Sequence, residues 1–341
     1  MKTEDLKKLV KDIKKGKGQC LKQKDTFKFK CTACGRCCFN IDVMVGIYDL
    51  IRLRNATKLT TQELLKKGLL TFYLGSSSGV PVLIINFSKV DSTSKVTRCP
   101  FLAPGISFNE VAKKLKVNIS NHDEKIKLIE KYKGDPQRMF KDLKGLKIKR
   151  WLCGVHKDRP IICRLFPLGR MKMIKKDNLK DFEEKFFLQK KVDWCAGWKT
   201  KEKQTLKSFL DHAEFWQYKT GSDKSHEILN LFLKSGFFAT TKDNEKGKVK
   251  ALFKNDSPIL MFAGNLIYNF DSIRYFSEDK RVLKTIYEKS SHQDYMYVLK
   301  KINFIVDHFI KLFLQQKVQG KDINQFITSF ITKEVKIDDQ G

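Results

Sequence analysis

The sequence predicts an α+β protein: a small cysteine-rich metal-binding domain of short strands and helices, followed by a mainly helical C-terminal domain. Three observations carry this. Eight of the nine cysteines fall between Cys31 and Cys195. Within that span, short β-rich runs alternate with helical pieces and are punctuated by Gly, Ser and Pro. Beyond Trp198 the thiols stop and apolar residues recur at helical spacing. The expected division is an N-terminal amphipathic helix over 1–19, a cysteine-cluster domain over 20–220 with a Lys-rich insertion at about 107–150, and a helical domain over 221–341. A chain of 341 residues is long enough for two cores.

In chain order, Leu6, Leu9, Val10 and Ile13 stand at helical spacing among lysines and end at Gly16, with no apolar core or cleavage site of a signal peptide. Asn40 to Val45 alternates like a half-buried strand and leads into a helix from Ile47 to Asn55. Thr60 or Thr61 caps a short helix closed by Gly68. Leu70 to Leu74 and Val80 to Phe87 are β-rich runs around Gly75-Ser-Ser-Ser-Gly79, read as a hairpin; the loop lacks the Gly-Lys-Ser/Thr ending of a phosphate cradle. Helical pieces follow at Asn109 to Leu115 and Asp123 to Tyr132. Arg170 to Ile174 and Phe186 to Lys190 are strand-like and flank a polar turn. Leu206 to Tyr218, Ile228 to Leu233 and Val298 to Gln316 read as helices, the last with a stripe of Val298, Ile302, Ile305, Val306, Phe309 and Phe313. Pro258 to Phe276 is aromatic-rich and reads as a buried strand or helix.

The chemistry concentrates in Cys31-Thr-Ala-Cys34-Gly-Arg-Cys37-Cys38. Two C-x2-C steps sharing Cys34 resemble the compact run that wraps an iron–sulfur cluster, in which closely spaced thiolates cap the cluster and a distant one completes it. Zinc knuckles instead offer one C-x2-C pair and a second some 15–20 residues on. Gly35 allows a tight turn. Cys37 and Cys38 are adjacent, and side chains diverge along an extended stretch, so the two are not expected to serve one metal in the same way. Cys99-Pro-Phe-Leu follows, then Cys153-Gly-Val-His156-Lys-Asp-Arg159-Pro-Ile-Ile-Cys163-Arg164-Leu-Phe-Pro167, then Trp194-Cys195-Ala-Gly. Arg36, Arg159 and Arg164 sit one to a few residues from thiols, where they would offset an anionic centre, tune its potential or hold an anionic substrate. Surface salt bridges are the competing reading for these arginines.

In this order the motifs resemble the YkgJ-type cysteine-cluster family, described as a zinc- or iron-chelating domain, over about residues 27–215. Proteins similar to these are commonly named Fe–S oxidoreductases, and one branch is the flagellin lysine N-methylase. The resemblance implies that Cys31, Cys34, Cys37, Cys38, Cys99, Cys153, Cys163 and Cys195 are metal ligands. Two departures from the pattern stand out: His156 replaces a frequent Tyr, and a long segment separates Cys99 from Cys153. The C-x2-H spacing permits His156 as a ligand, with an outer-sphere or packing role as the alternative. His122, His212, His226, His292 and His308 show no ligand-like spacing.

Eight thiolates suit one or two [4Fe–4S] centres, with zinc as the alternative metal. The expected function is therefore electron transfer or a redox enzyme with an unidentified protein or redox partner. The alternatives are a lysine N-methylase, although no strand is followed by G-x-G-x-x-G, and a zinc-binding interaction module. The net charge of +30 comes from 11 Arg and 57 Lys scattered along the chain, which fits a solvated surface and at most non-specific nucleic-acid binding. No apolar run reaches bilayer length, so no membrane span is expected. With no signal peptide, a cytoplasmic location is expected, where thiols favour metals over disulfides.

Overall fold

A computed structural model describes residues 20–32, 35–74, 81–89, 96–104, 108–118, 151–174, 182–189, 195–234, 240–242, 249–251, 264, 266–270, 276, 278–288 and 290–318, with positions 121, 123, 124, 127 and 131. The N-terminal helix expected over 1–19, Cys34, the 75–79 loop, most of the 107–150 insertion and most of 258–276 lie outside the described residues. The fold is mixed α+β. Among the described residues no helix is long and apolar enough to cross a membrane. The chain forms two compact units, Met1–Val43 with Ile85–Tyr218, and Met44–Ile84 with Lys219–Gly341. The C-terminal boundary falls beside the expected 220. Residues 44–84, placed with the cysteines by the sequence, group instead with the C-terminal half.

The first unit is built from two-stranded pieces around an aromatic core. Phe27 and Phe29 alternate with lysines, so one face of Thr26–Lys28 is buried while the strand pairs antiparallel with Lys203–Thr205. Leu168–Ile174 and Phe182–Leu188 form an antiparallel hairpin; the first strand covers the expected Arg170–Ile174, while the second starts four residues before the expected Phe186–Lys190 and ends at Leu188. Phe27, Phe29, Phe186, Leu206, Phe209, Leu210 and Phe215 pack together, with edge-on ring contacts at 5.5 Å for Phe27–Phe209 and 5.4 Å for Phe186–Phe215. Thr205 caps the helix Leu206–His212 by accepting from Ser208 N at 3.1 Å. The single helix expected from Leu206 to Tyr218 is two, because Glu214 takes φ 54 and breaks it before Phe215–Lys234.

The second unit carries a three-stranded sheet in the order Met44–Val45, Pro81–Ile85, Leu70–Leu74, and the helices Ile47–Thr57, Thr61–Lys66, Lys280–Tyr287 and His292–Val318. Thr60 and Glu63 make a capping box for the second of these helices, at the position the sequence marked. Ile47–Thr57 packs on both C-terminal helices and buries residues on nearly every face. Arg54 is among them, stacked 5.3 Å from Phe270 and donating to Tyr287 Oη at 3.1 Å. The expected stripe is buried at Val298, Ile302, Ile305, Val306 and Phe309.

Close backbone approach makes one glycine decisive in the first unit. Gly197 O accepts from Lys30 N at 3.0 Å, and a Cβ at Gly197 would stand 2.6 Å from the Phe29 ring and 2.9 Å from Lys30 O. Gly197→Ala is expected to cost about 1–3 kcal/mol by overpacking, read as a lower midpoint in urea unfolding; an unchanged midpoint would show that the Phe29 segment shifts freely.

Candidate metal centre

Backbone hydrogen bonds bring the cysteine-bearing segments together. Gly35, at φ 70, starts a 3-10 turn over Arg36–Cys38 that closes with Cys38 N donating to Gly35 O at 3.1 Å. Cys38 O accepts from Cys99 N at 2.9 Å, and Asn40 N donates to Thr97 O at 3.0 Å, so the first cysteine run lies against the Cys99 segment. The next step joins Cys99 to Cys153. Leu102 pairs with Cys153 between Leu102–Pro104 and Trp151–Cys153, and Gly154 N donates to Phe101 O at 2.8 Å. The long segment between them therefore leaves their spatial pairing intact. Cys163 lies in the helix Ile161–Leu165, which starts at Pro160, a residue with no N–H to lose. The Lys30–Gly197 bond brings Cys31 toward Cys195.

The result is one cavity of about 490 Å³ lined by Cys31, Cys37, Cys38, Cys99, Cys153, Cys163 and Cys195. These are seven of the eight expected ligands; Cys34 lies outside the described residues. Cys20 is half-buried and does not line the cavity. None of the described cysteines is in a disulfide. The expectation that Cys37 and Cys38 diverge assumed an extended backbone. In the 3-10 turn both face the cavity and their thiols share a hydrogen bond.

That bond sets the order of ionisation. The Cys38 thiol donates to Cys37 and so holds the Cys37 pKa below the ordinary thiol value, with Arg159 adding to the effect. Cys38 is pushed up, first by that same bond and then by burial. Burial pushes Cys99 up to about 12 and raises Cys153 as well. Of Cys37, Cys38, Cys99 and Cys153, Cys37 alone is drawn toward the thiolate.

The arginines divide by environment. Arg164 is buried at 6% exposure; its Nη1 donates to Glu214 Oε2 at 2.7 Å and to Ala213 O at 3.5 Å, its Nη2 donates to Lys157 O, and its guanidinium lies 4.0 Å from the Tyr218 ring. It is an internal clamp as well as a cavity residue, and its ion pair with Glu214 is buried on the arginine side and exposed on the carboxylate side. Arg159 donates to His156 O at 3.0 Å and its Nη1 meets His156 Nε2. Burial, Arg159 and Arg164 hold the His156 pKa below its ordinary value, so the ring is neutral beside the thiols. The side chain of Arg36 lies outside the described residues.

Thiolate sulfur suits iron and zinc alike. Among the described residues no three Cys, His, Asp or Glu side chains close on a single ion-sized point; the thiols ring a volume instead. The charges of Arg159 and Arg164 pull the Cys153 thiol toward thiolate against the effect of burial, which fits an anionic centre there.

Sequence reasoning missed Gln204, Ser208 and His212, which also line the cavity. The available signal was helical phase. With Leu206, Phe209 and Leu210 buried, positions 208 and 212 share the other face one turn apart.

The chain matches no known family model, no curated protein and no solved structure.

The clamp predicts a specific loss. Arg164→Ala takes one donor from Lys157 O, which keeps Tyr218 Oη at 3.1 Å, takes the donor of Ala213 O and removes the ring contact, so stability should fall by about 2 kcal/mol in denaturant unfolding. The carbonyl bonds dominate because Glu214 is 57% exposed at its side chain. Arg164→Lys should recover less than half of the loss, since a point ammonium cannot serve both carbonyls and stack. Full recovery by lysine would reduce Arg164 to a simple positive charge.

Proposed function

We propose that the chain is a metal-binding cysteine-cluster protein whose first unit holds an iron–sulfur centre and acts in electron transfer or as a redox enzyme. The observation that carries this reading is the gathering of seven thiols from separate segments of the chain around one cavity. The compact C-x2-C-x2-C-C spacing and the resemblance to YkgJ-type proteins point the same way. A bound cluster would supply one-electron chemistry. The chain's own part is to present thiolates, exclude water with Phe101, Phe166 and Val155, and place positive charge from Arg159 and Arg164 near the sulfurs.

The deciding experiment measures iron, zinc and acid-labile sulfide per chain on protein purified without oxygen, with its visible spectrum. Brown protein with matched iron and sulfide is the expected result. Colourless protein with stoichiometric zinc and no sulfide would overturn the redox reading in favour of a zinc-stapled interaction module. Cys153→Ser should lower metal content, whereas Cys20→Ser should leave it unchanged; the reverse pattern would move the site.

Metal uptake should also release protons. Cys99 stays a thiol up to about 12 and Cys153 is likewise raised, yet each must lose its proton to bind. Both folded-state values lie above the unfolded one, so at neutral pH the protons are present until metal displaces them, and affinity weakens as pH falls. Titration of metal-free protein with Zn2+ in a weakly buffered indicator solution reads this directly. Binding without proton release would remove the buried thiols from the ligand set.

A further inference from the structure

Arg159 lines the cavity with one part of its guanidinium committed and another unspent. Its Nη1 donates to His156 O at 3.0 Å and meets His156 Nε2, which anchors the group to its own turn. Among the described residues nothing accepts from its Nε or Nη2, and no carboxylate pairs with it. Those two N–H groups lie side by side on one edge of the plane, and such an edge grips a carboxylate or phosphate through two parallel hydrogen bonds. The charge of Arg159 also draws the Cys37 and Cys153 thiols toward thiolate, so this cation acts on the part of the cavity that the cysteines line.

A second cation on the lining is unmatched as well. Lys30 Nζ is bonded to both carboxylate oxygens of Glu202 at 2.9 Å, and Glu202 is the only acidic residue on the lining among the described residues. Arg164 is paired with Glu214. Lys203 is exposed and stands directly across the strand ladder from Lys28, where like charges repel. Among the described residues neither of these two lysines is paired with a carboxylate. The lining therefore carries two cations, Arg159 and Lys203, in excess of its acids, beside apolar surface from Phe29, Phe166 and Phe209. The volume of about 490 Å³ lies within the range of small-molecule sites.

We infer that the cavity binds a small organic oxyanion, a carboxylate or phosphate on an apolar body, with the head group held by Nε and Nη2 of Arg159 and attracted by Lys203. This rests on the reading of the cavity as a metal-centred reaction site and names the substrate class for it; the hydrogen bonds themselves come from the chain and not from the metal. Charge selects the class. An ammonium ligand would add a third unmatched cation, and an uncharged one would cover the Arg159 edge without giving its donors a charged acceptor.

The test is calorimetric titration of the full chain, purified without oxygen, with phenylacetate, phenyl phosphate, phenethyl alcohol and phenethylamine. Salt at about 150 mM screens the field of the scattered surface lysines. At least one of the two oxyanions should bind saturably, at one site per chain and about tenfold or more tightly than the alcohol, as charge-assisted hydrogen bonds require. The tighter of the two assigns the head group. Arg159→Gln should weaken that ligand by about tenfold, and Arg159→Lys should restore little of it, because a point ammonium lacks the paired edge. Full recovery by lysine would overturn the paired grip. Lys203→Gln should weaken binding by about threefold, less as salt rises; no effect would remove Lys203 from the site. Absence of saturable oxyanion binding in the wild-type protein would overturn the inference without recourse to any variant. So would equal affinity for the alcohol or the amine, or unchanged affinity in Arg159→Gln, which would assign the anion to the lysine-rich surface. Metal and sulfide are assayed on the same samples. Colourless protein that binds the oxyanion through Arg159 keeps this inference and removes only the iron–sulfur reading, and brown protein that binds neither oxyanion does the reverse.

Discussion

The geometry of the cavity depends on one buried cation. Arg164 follows Cys163, its fork holds the carbonyl of Lys157 in the turn after Cys153, and its other arm holds Ala213 O and Glu214 just past His212. Three segments separated in sequence are thus referenced to a single planar group, with Tyr218 fixing the plane from one side. A buried charge costs several kcal/mol unless it is paired and hydrogen-bonded. Here Nη1 and Nη2 are hydrogen-bonded to protein, and the guanidinium draws the Cys153 pKa down against the effect of burial. The clamp therefore both shapes the site and favours negative charge in it.

Around that clamp the thiols hang on a frame that does not consist of thiols. The bonds from Cys99 N to Cys38 O, Gly154 N to Phe101 O and Lys30 N to Gly197 O are all main-chain. They set the positions of the cysteine backbones independently of any metal–sulfur bond. Burial raises Cys99 and Cys153, and the Cys38 thiol is tied to Cys37, so bringing in a metal exchanges S–H bonds for metal–sulfur bonds on an existing scaffold. Such a scaffold limits the ordering entropy that metal binding must overcome.

Local signals in the sequence were the legible ones. The Thr60 cap, the strand at Arg170–Ile174 and the Val298–Phe309 stripe all follow from short-range periodicity or capping chemistry. The cysteines of the cavity were legible as a set because thiols are rare and grouped. Three things were not. The membership of residues 44–84 depends on which distant helices the apolar Ile47–Thr57 meets, and periodicity is silent on that. The turn at Cys37–Cys38 depends on Gly35 taking a left-handed conformation, which converts an expected divergence into a shared face. His212 was passed over because ligand spacing was sought within its own segment, whereas its relevance comes from a helix docking beside cysteines up to some 180 residues earlier in the chain.

The size of the cavity bears on what kind of centre it would suit. A metal that only staples a fold is enclosed by its four ligands, at about 2.3 Å from each sulfur for zinc, and leaves nothing open. Here the thiols border a space of about 490 Å³ that Gln204, Ser208 and His212 also line. A space of that size exceeds what one four-coordinate ion fills, and this is the physical reason for proposing a cluster ahead of a zinc staple.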